Sequence, residues 1–144
     1  LVVIGKGDTQ PVQSRMKVLH VLDCIRFIGA VDNPQAYYRA AEFMVLPTRH
    51  DPFSNACLEA LACGCPVLTS AENGAAEILT HDTGFIFEGR YDDAELAAAV
   101  AFIRAFKTPP RAVAASVAHL TADAEFAQYL DLVTTVHRQK QTAP

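Results

Sequence analysis

The sequence predicts an α/β domain of the doubly wound type, a parallel sheet with helices on both faces, and three observations carry that expectation. Five short apolar runs lack polar alternation, as strands covered on both faces do. Segments of helix length lie between them, which is what right-handed parallel crossovers require. The chain has 144 residues, 51% of them hydrophobic, enough for one domain with a sizeable core.

Leu1 to Gly5 is the first strand run, followed by the turn Gly5-Lys6-Gly7-Asp8. Pro11 to Leu22 supplies the first crossover, Ile25 to Ile28 the second strand and Pro34 to Ala41 the second crossover. Phe43 to Leu46 is a buried run closed by Pro47, so it delivers the chain to an exposed loop, Thr48 to Phe53. Ser54 or Asn55 can cap the next helix, Ala56 to Cys63 are good helix formers, and Gly64 followed by Pro66 is a stop signal. Pro66 to Thr69 is the fourth strand, Asn73 to Leu79 a further crossover helix, and Gly84 to Phe87 the fifth strand. After Gly89 the character changes to packing helices. Asp92-Asp93 can cap Ala94 to Phe106, where Leu96, Val100 and Ile103 recur at helical spacing. Pro109-Pro110 interrupts before two alanine-rich, weakly amphipathic segments, Ala112 to His119 and Asp123 to Arg138. Gln139 to Pro144 is polar, so the domain is expected to span residues 1–138 and the tail 139–144.

Composition excludes several classes of function. A net charge of −4 with no basic run offers no footprint for a nucleic-acid backbone. No stretch reaches the roughly 18 apolar residues of a spanning helix, and no charged start precedes a signal-type apolar core, so the chain is expected to be soluble. Cys24, Cys57, Cys63 and Cys65 form no C-x-x-C, and no histidine stands at a ligand-like interval from them. No metal site is expected; free, partly buried thiols in a reducing cytosol fit better. His50, beside Asp51, is the one histidine with a functional location, and a solvent-facing loop residue is its plainer reading.

In doubly wound sheets ligands bind beyond the carboxyl ends of the strands. The Gly5-Lys6-Gly7 turn, the Gly29 to Asn33 loop, the Thr48 to Asn55 loop and the Ser70 to Gly74 loop all emerge there. A helix starting near Asn55 offers unpaired backbone N–H groups and partial positive charge, which suit a diphosphate. The backbone of Cys57 and Leu58 lies in that first turn. Glu59 stands one turn further on the side of Asn55, and a carboxylate there can accept from both hydroxyls of a ribose. The plain alternative is that Asp51 is only a helix-end charge and Glu59 a solvated helix residue. Gly5-Lys6-Gly7 likewise reads equally well as a tight strand-to-helix turn, because the fuller G-x-G-x-x-G pattern is absent.

Asp51-Pro52-Phe53-Ser54-Asn55-Ala56-Cys57-Leu58-Glu59, continued by Ala60-Leu61-Ala62-Cys63-Gly64-Cys65-Pro66-Val67, resembles the acid-x7-Glu signature of glycosyltransferase family 4, the retaining group 1 enzymes of the GT-B fold. The first acid is usually Glu in that family and is Asp51 here; Ser54 replaces a common Gly. The resemblance extends over about residues 1 to 105, through Leu1 to Asp8, Ile25 to Gly29, Ala40 to Thr48 and Ser70 to Glu77 in the family's order. With Asp51 in the place of that Glu, the chain resembles some lipopolysaccharide-core and related cell-surface polysaccharide transferases. The resemblance implies a Rossmann-like domain, the C-terminal, donor-binding half of a GT-B enzyme, incomplete at its own N-terminus. It implies that Asp51, Phe53, Ser54 and Asn55 contact the donor sugar, Glu59 the ribose, and the Cys57 and Leu58 backbone the phosphates, with Gly5, Gly7 and Gly29 in supporting cleft loops. The expected partner is a nucleotide diphosphate sugar, whose hexose passes with retention to a glycan or lipid-linked acceptor. No cofactor or metal is implied. The basic pair that usually assists the diphosphate precedes the Leu1 strand in the family, so the isolated chain is expected to be inactive without it and without an N-terminal acceptor domain. The implied location is the cytoplasm, with room for association of the longer protein with the inner face of the cytoplasmic membrane. A non-catalytic nucleotide-binding module and a GT-B nucleotide-sugar epimerase remain as alternatives; a receiver domain is disfavoured, since only Asp8 follows the first strand where paired acids are required.

Overall fold

Parallel strand pairing organises the chain in a computed structural model that describes residues 1–142. The chain divides into two compact units, Leu1–Tyr37 and Tyr38–Pro144. In the first, β1 (Val2–Ile4) pairs in parallel with β2 (Arg26–Gly29), Val2 opposite Arg26 and Val3 opposite Phe27. The crossover is α1 (Gln10–Val18) followed by a 3-10 turn at Leu22–Cys24. This helix stops four residues short of the expected Leu22 because His20 turns to a φ of +55°, outside the helical region. No residue of this unit is fully buried. The division falls inside α2 (Pro34–Ala40), whose first turn is capped by Asn33 Oδ1, accepting from Ala36 N–H at 3.3 Å.

The second unit holds β3 (Met44–Leu46), α3 (Asn55–Ala62), β4 (Val67–Ser70), a 3-10 helix at Gly74–Ile78, β5 (Gly84–Phe87), α4 (Asp93–Ala105), α5 (Pro110–Ser116) and α6 (Ala122–Thr142). Its strands run parallel in the order β3-β4-β5, with Met44, Val67 and Gly84 in register. The α/β class with helix crossovers is therefore as expected; among the described residues the strands form two parallel sheets, β1-β2 in the first unit and β3-β4-β5 in the second. Burial on both faces holds only for β4, which is buried at all four positions; β1, β2 and β3 each expose residues, since a strand without two neighbours and two helix layers cannot be covered. Asn73 to Leu79 forms a 3-10 helix instead of an α-helix crossover.

Successive residues of β4 point to opposite faces and so seed two cores. Val67 joins Cys57, Ala60 and Leu61 of α3 with Val113 of α5. Leu68 joins Phe87, Ala99 and Phe102, flanked by Phe43, Phe85 and Phe106. The aromatic rings decide the orientation of α4. Phe102 and Phe106 meet Phe43 edge-on at 6.3 and 5.3 Å, turning inward the stripe that also carries Glu95 and Ala99. Leu96, Val100 and Ile103, expected to pack, are consequently exposed at 47%, 45% and 37%. Asp92 caps α4 as expected, accepting from Glu95 N–H at 2.8 Å, and the buried Glu95 carboxylate accepts from the N–H groups of Glu88 and Tyr91. The helix α3 ends at Gly64, whose φ of +82° and the Pro110 carbonyl 2.8 Å from where a Cβ would stand both require glycine. The final helix continues through Thr142, past the Arg138 limit and into the expected polar tail; Ala143 and Pro144 lie outside the described residues. Among the described residues no helix is long and apolar enough to cross a membrane.

All four thiols are free. Burial, and then the neighbouring Cys63, pushes Cys65 up to about 11, and burial raises Cys57. Because the folded value of Cys65 lies above the ordinary 9.0, its contribution to stability is complete below about pH 9 and is lost as pH rises toward 11. Exposed Cys24 is therefore expected to be alkylated at pH 8 at least tenfold faster than Cys57 or Cys65 in the native protein. Peptide mapping of iodoacetamide adducts, with and without denaturant, checks this; equal native rates would contradict the burial.

Candidate functional site

The second unit gathers its polar loops at the carboxyl ends of β3 and β4. Thr69 and Ser70, buried at the end of β4, use their hydroxyls to hold the chain leaving β3. Thr69 Oγ1 donates to Leu46 O at 2.7 Å; Ser70 Oγ accepts from Thr48 N–H at 3.0 Å and donates to Thr48 O. Beyond them a single parallel bridge pairs Asp51 with Asn73: Asp51 N–H donates to Glu72 O at 3.2 Å, and Gly74 N–H donates to Asp51 O at 2.9 Å. The loop thus behaves as a one-residue extension of the sheet. Its closeness depends on Gly74, since a Cβ there would stand 1.8 Å from Pro52 O.

Asp51 is half-buried, and its Oδ1 accepts from Phe53 N–H at 3.1 Å, an Asx turn that aims the next residues into α3. Phe53 is 39% exposed. Ser54 occupies the N-cap position with extended backbone, but its hydroxyl makes no capping bond and is buried. What fixes the helix start instead is Asn73. Its Oδ1 accepts from Ser54 N–H at 3.2 Å and from Ala75 N–H at 3.0 Å, while its Nδ2 donates to Thr69 Oγ1 at 2.9 Å and Cys57 Sγ at 3.5 Å. Sequence reasoning did not single out Asn73 as a site residue. The available signal was an Asn-Gly pair just past a buried strand, which reads as an ordinary helix cap.

In the first turn of α3, Cys57 N–H and Leu58 N–H both point to Ser54 O, at 3.1 and 3.3 Å. The amides left without a partner among the described residues are those of Asn55 and Ala56, one step nearer the loop. Glu59 lies one turn behind Asn55, exposed, its carboxylate without a hydrogen bond or ion pair among the described residues. Burial, and then the Glu59 carboxylate, hold the Tyr38 hydroxyl above its ordinary value. The geometry supplies free N–H groups at a helix start, an acceptor one turn along, and a loop carboxylate ahead of both.

The four expected cleft loops are divided two and two. Asp51, Phe53, Ser54, Asn55, Cys57, Leu58 and Glu59 come together in the second unit; Gly5, Gly7 and Gly29 lie in the first. There Gly5 N–H donates to Gly29 O at 2.9 Å, joining the two turns at the ends of β1 and β2. Their φ values are +140°, +155° and +83°, with open space where each Cβ would be, so backbone conformation rather than crowding calls for glycine. His50 is exposed, and its carbonyl accepts from Thr48 Oγ1 at 3.3 Å. Among the described residues no three His, Cys, Asp or Glu side chains gather as a metal-binding group.

The second unit thus combines a parallel sheet with an acid-led loop that feeds a helix start at the carboxyl ends of its strands. The sequence pattern of the family described as "Glycosyl transferases group 1" matches residues 1–105, and the chain belongs to that family. It is similar to the lipopolysaccharide core biosynthesis glycosyltransferase LpsD of Rhizobium meliloti (strain 1021), 28% identical over 103 residues that cover 71% of this chain and 30% of LpsD. Among solved structures it is similar to sucrose-phosphate synthase from Thermosynechococcus elongatus, with a TM-score of 0.80 and 26% identity, covering 96% of this chain and 39% of that one. The fold is also that of HepE from Anabaena, solved in complex with UDP-glucose, at a TM-score of 0.74 and 18% identity over 93% of this chain and 40% of that one. The chain therefore spans less than half the length of each of these relatives.

Proposed function

We propose that this chain is the donor-binding domain of a retaining glycosyltransferase that moves a hexose from a nucleotide diphosphate sugar to a glycan or lipid-linked acceptor, in cell-surface polysaccharide or lipopolysaccharide biosynthesis. The observation that carries the reading is the placement of Asp51, the free amides of Asn55 and Ala56, and Glu59 along one continuous loop and helix start. The diphosphate sits at the first turn of α3, facing Asn55 and Ala56, with the Cys57 and Leu58 amides behind them; helix-start N–H groups stabilise the charge that grows on the leaving phosphate. Glu59 accepts from the ribose hydroxyls. Asp51 Oδ2, left over from the Asx turn, accepts from a hydroxyl of the donor sugar, and Phe53, Ser54 and Asn55 complete that wall. The acceptor binds a further, N-terminal domain of the longer protein, which works in the cytoplasm at the inner face of the cytoplasmic membrane.

The test is a titration of the 144-residue chain with UDP, ADP and GDP, followed by the amide resonances of Asn55 to Leu58. One nucleoside diphosphate is expected to bind weakly, roughly between 0.1 and 10 mM, shifting those amides, and no sugar is transferred from the matching donor. Absence of any shift in the α3 start at saturating concentrations of all three, or turnover by this chain alone, would overturn the reading.

A further inference from the structure

We propose that Asn73 is the positioning residue of the donor site: its carboxamide sets where the start of α3 and the Asp51 loop stand relative to the sheet. The inference rests on the donor-site reading above and adds to it a residue outside the acid-x7-Glu stretch. Asn73 is 1% exposed, and all four of its hydrogen-bonding capacities are used. Its orientation is fixed by chemistry, because Ser54 N–H and Ala75 N–H are obligate donors and only Oδ1 can receive them. That leaves Nδ2 to face Thr69 Oγ1 and Cys57 Sγ. One planar group therefore touches four elements: the end of β4, the last loop residue, the first turn of α3 and the start of the following 3-10 helix. Thr69 passes the connection on to Leu46 O, the last residue of β3.

The N-cap that a serine normally provides is missing, since the Ser54 hydroxyl accepts from no backbone N–H of the helix. A side chain 19 residues away does the locating instead, through the Ser54 N–H. The bridge between Asp51 and Asn73 runs through the same residue's backbone neighbours, so the acid and the helix start share one support. A displacement near 1 Å in such a support suffices to misplace groups that must meet a ligand together.

The experiment replaces Asn73 with Ser in the 144-residue chain. Asn73→Ser retains a short hydroxyl able to receive the Ala75 N–H, but it cannot reach the Ser54 N–H, Thr69 and Cys57 together. The nucleoside diphosphate that binds the unaltered chain is titrated while amide spectra are recorded. We expect at least tenfold weaker binding, with the Ser54 to Leu58 amides shifted before any ligand is added and those of β5 and α4 in place. Asn73→Asp, which keeps Oδ1 in position for both N–H groups, is expected to restore the ligand-free Ser54 to Leu58 pattern. If Asn73→Ser does not fold, Thr69→Val serves, removing one anchor of the carboxamide, with about threefold weaker binding expected. Wild-type affinity within twofold in the folded variant, or uniform shifts across the whole unit with no restoration by Asp, would overturn the positioning role. Absence of nucleotide binding by the unaltered chain would instead fail the donor-site reading, while the ligand-free amide pattern still reports whether Asn73 places the helix start.

Discussion

Gly74→Ala is expected to abolish nucleotide binding by this chain and to lower its stability by about 3 kcal/mol, the upper part of the range for overpacking. The added methyl would stand 1.8 Å from Pro52 O and 2.8 Å from Pro52 C. Both are backbone atoms, so no side-chain rotation relieves the clash; the loop must move away from the 3-10 helix. That movement breaks the Gly74 N–H to Asp51 O bond and with it the bridge that holds the acid in line with the sheet. Urea melts give the stability change, and amide spectra show whether damage starts at Asp51 to Ser54. A variant as stable as the parent, with its Asp51 amide unmoved, would show that the loop has room for the methyl and does not depend on this close approach.

The site was legible in the sequence where chemistry and chain order coincide. Asp51 to Gly64 carries its own punctuation: a proline-closed strand, a capping residue, eight helix formers and a glycine that only a left-handed terminus requires, and α3 falls at Asn55–Ala62 as a result. β5 matches Gly84 to Phe87 at both ends for the same reason, opening on a glycine and followed by Gly89 two residues past its end. What the sequence could not reveal depends on distant pairs. Leu96, Val100 and Ile103 have a helical period, yet so do Glu95, Ala99 and Phe102; the stripe that turns inward is chosen by Phe43, which the chain reaches about sixty residues before Phe102. Asn73 is hidden in the same way. Its partners Ser54 and Cys57 come from an earlier crossover, and nothing local separates an asparagine that caps its own helix from one that also anchors another. The free amides, too, moved from Cys57 and Leu58 to Asn55 and Ala56 because Ser54 O receives the later pair, a detail of loop curvature that residue types do not encode.

Glu59→Ala is expected to weaken nucleoside diphosphate binding by about 2–4 kcal/mol, since two hydrogen bonds to a charged acceptor are lost and each contributes about 1.5–3 kcal/mol before reorganisation. In a chain that binds only in the millimolar range this removes measurable affinity, so the wild-type response to the matching 2′-deoxynucleotide is the sharper reading. A ribose lacking one hydroxyl should bind the unaltered chain ten- to a hundredfold more weakly, because Glu59 then keeps an unmet lone pair that water fills instead. Glu59→Gln, which keeps one carbonyl acceptor but no charge, should fall between wild type and Glu59→Ala and discriminate less between ribose and deoxyribose. Stability should hardly change, because Glu59 is exposed and no partner in the chain depends on it among the described residues. Calorimetric titration with both nucleotides, beside a thermal melt of each variant, separates the outcomes. Equal affinity for ribose and deoxyribose in the unaltered chain, or a melting temperature that falls by several degrees in Glu59→Ala, would reassign this carboxylate from the ligand to the helix.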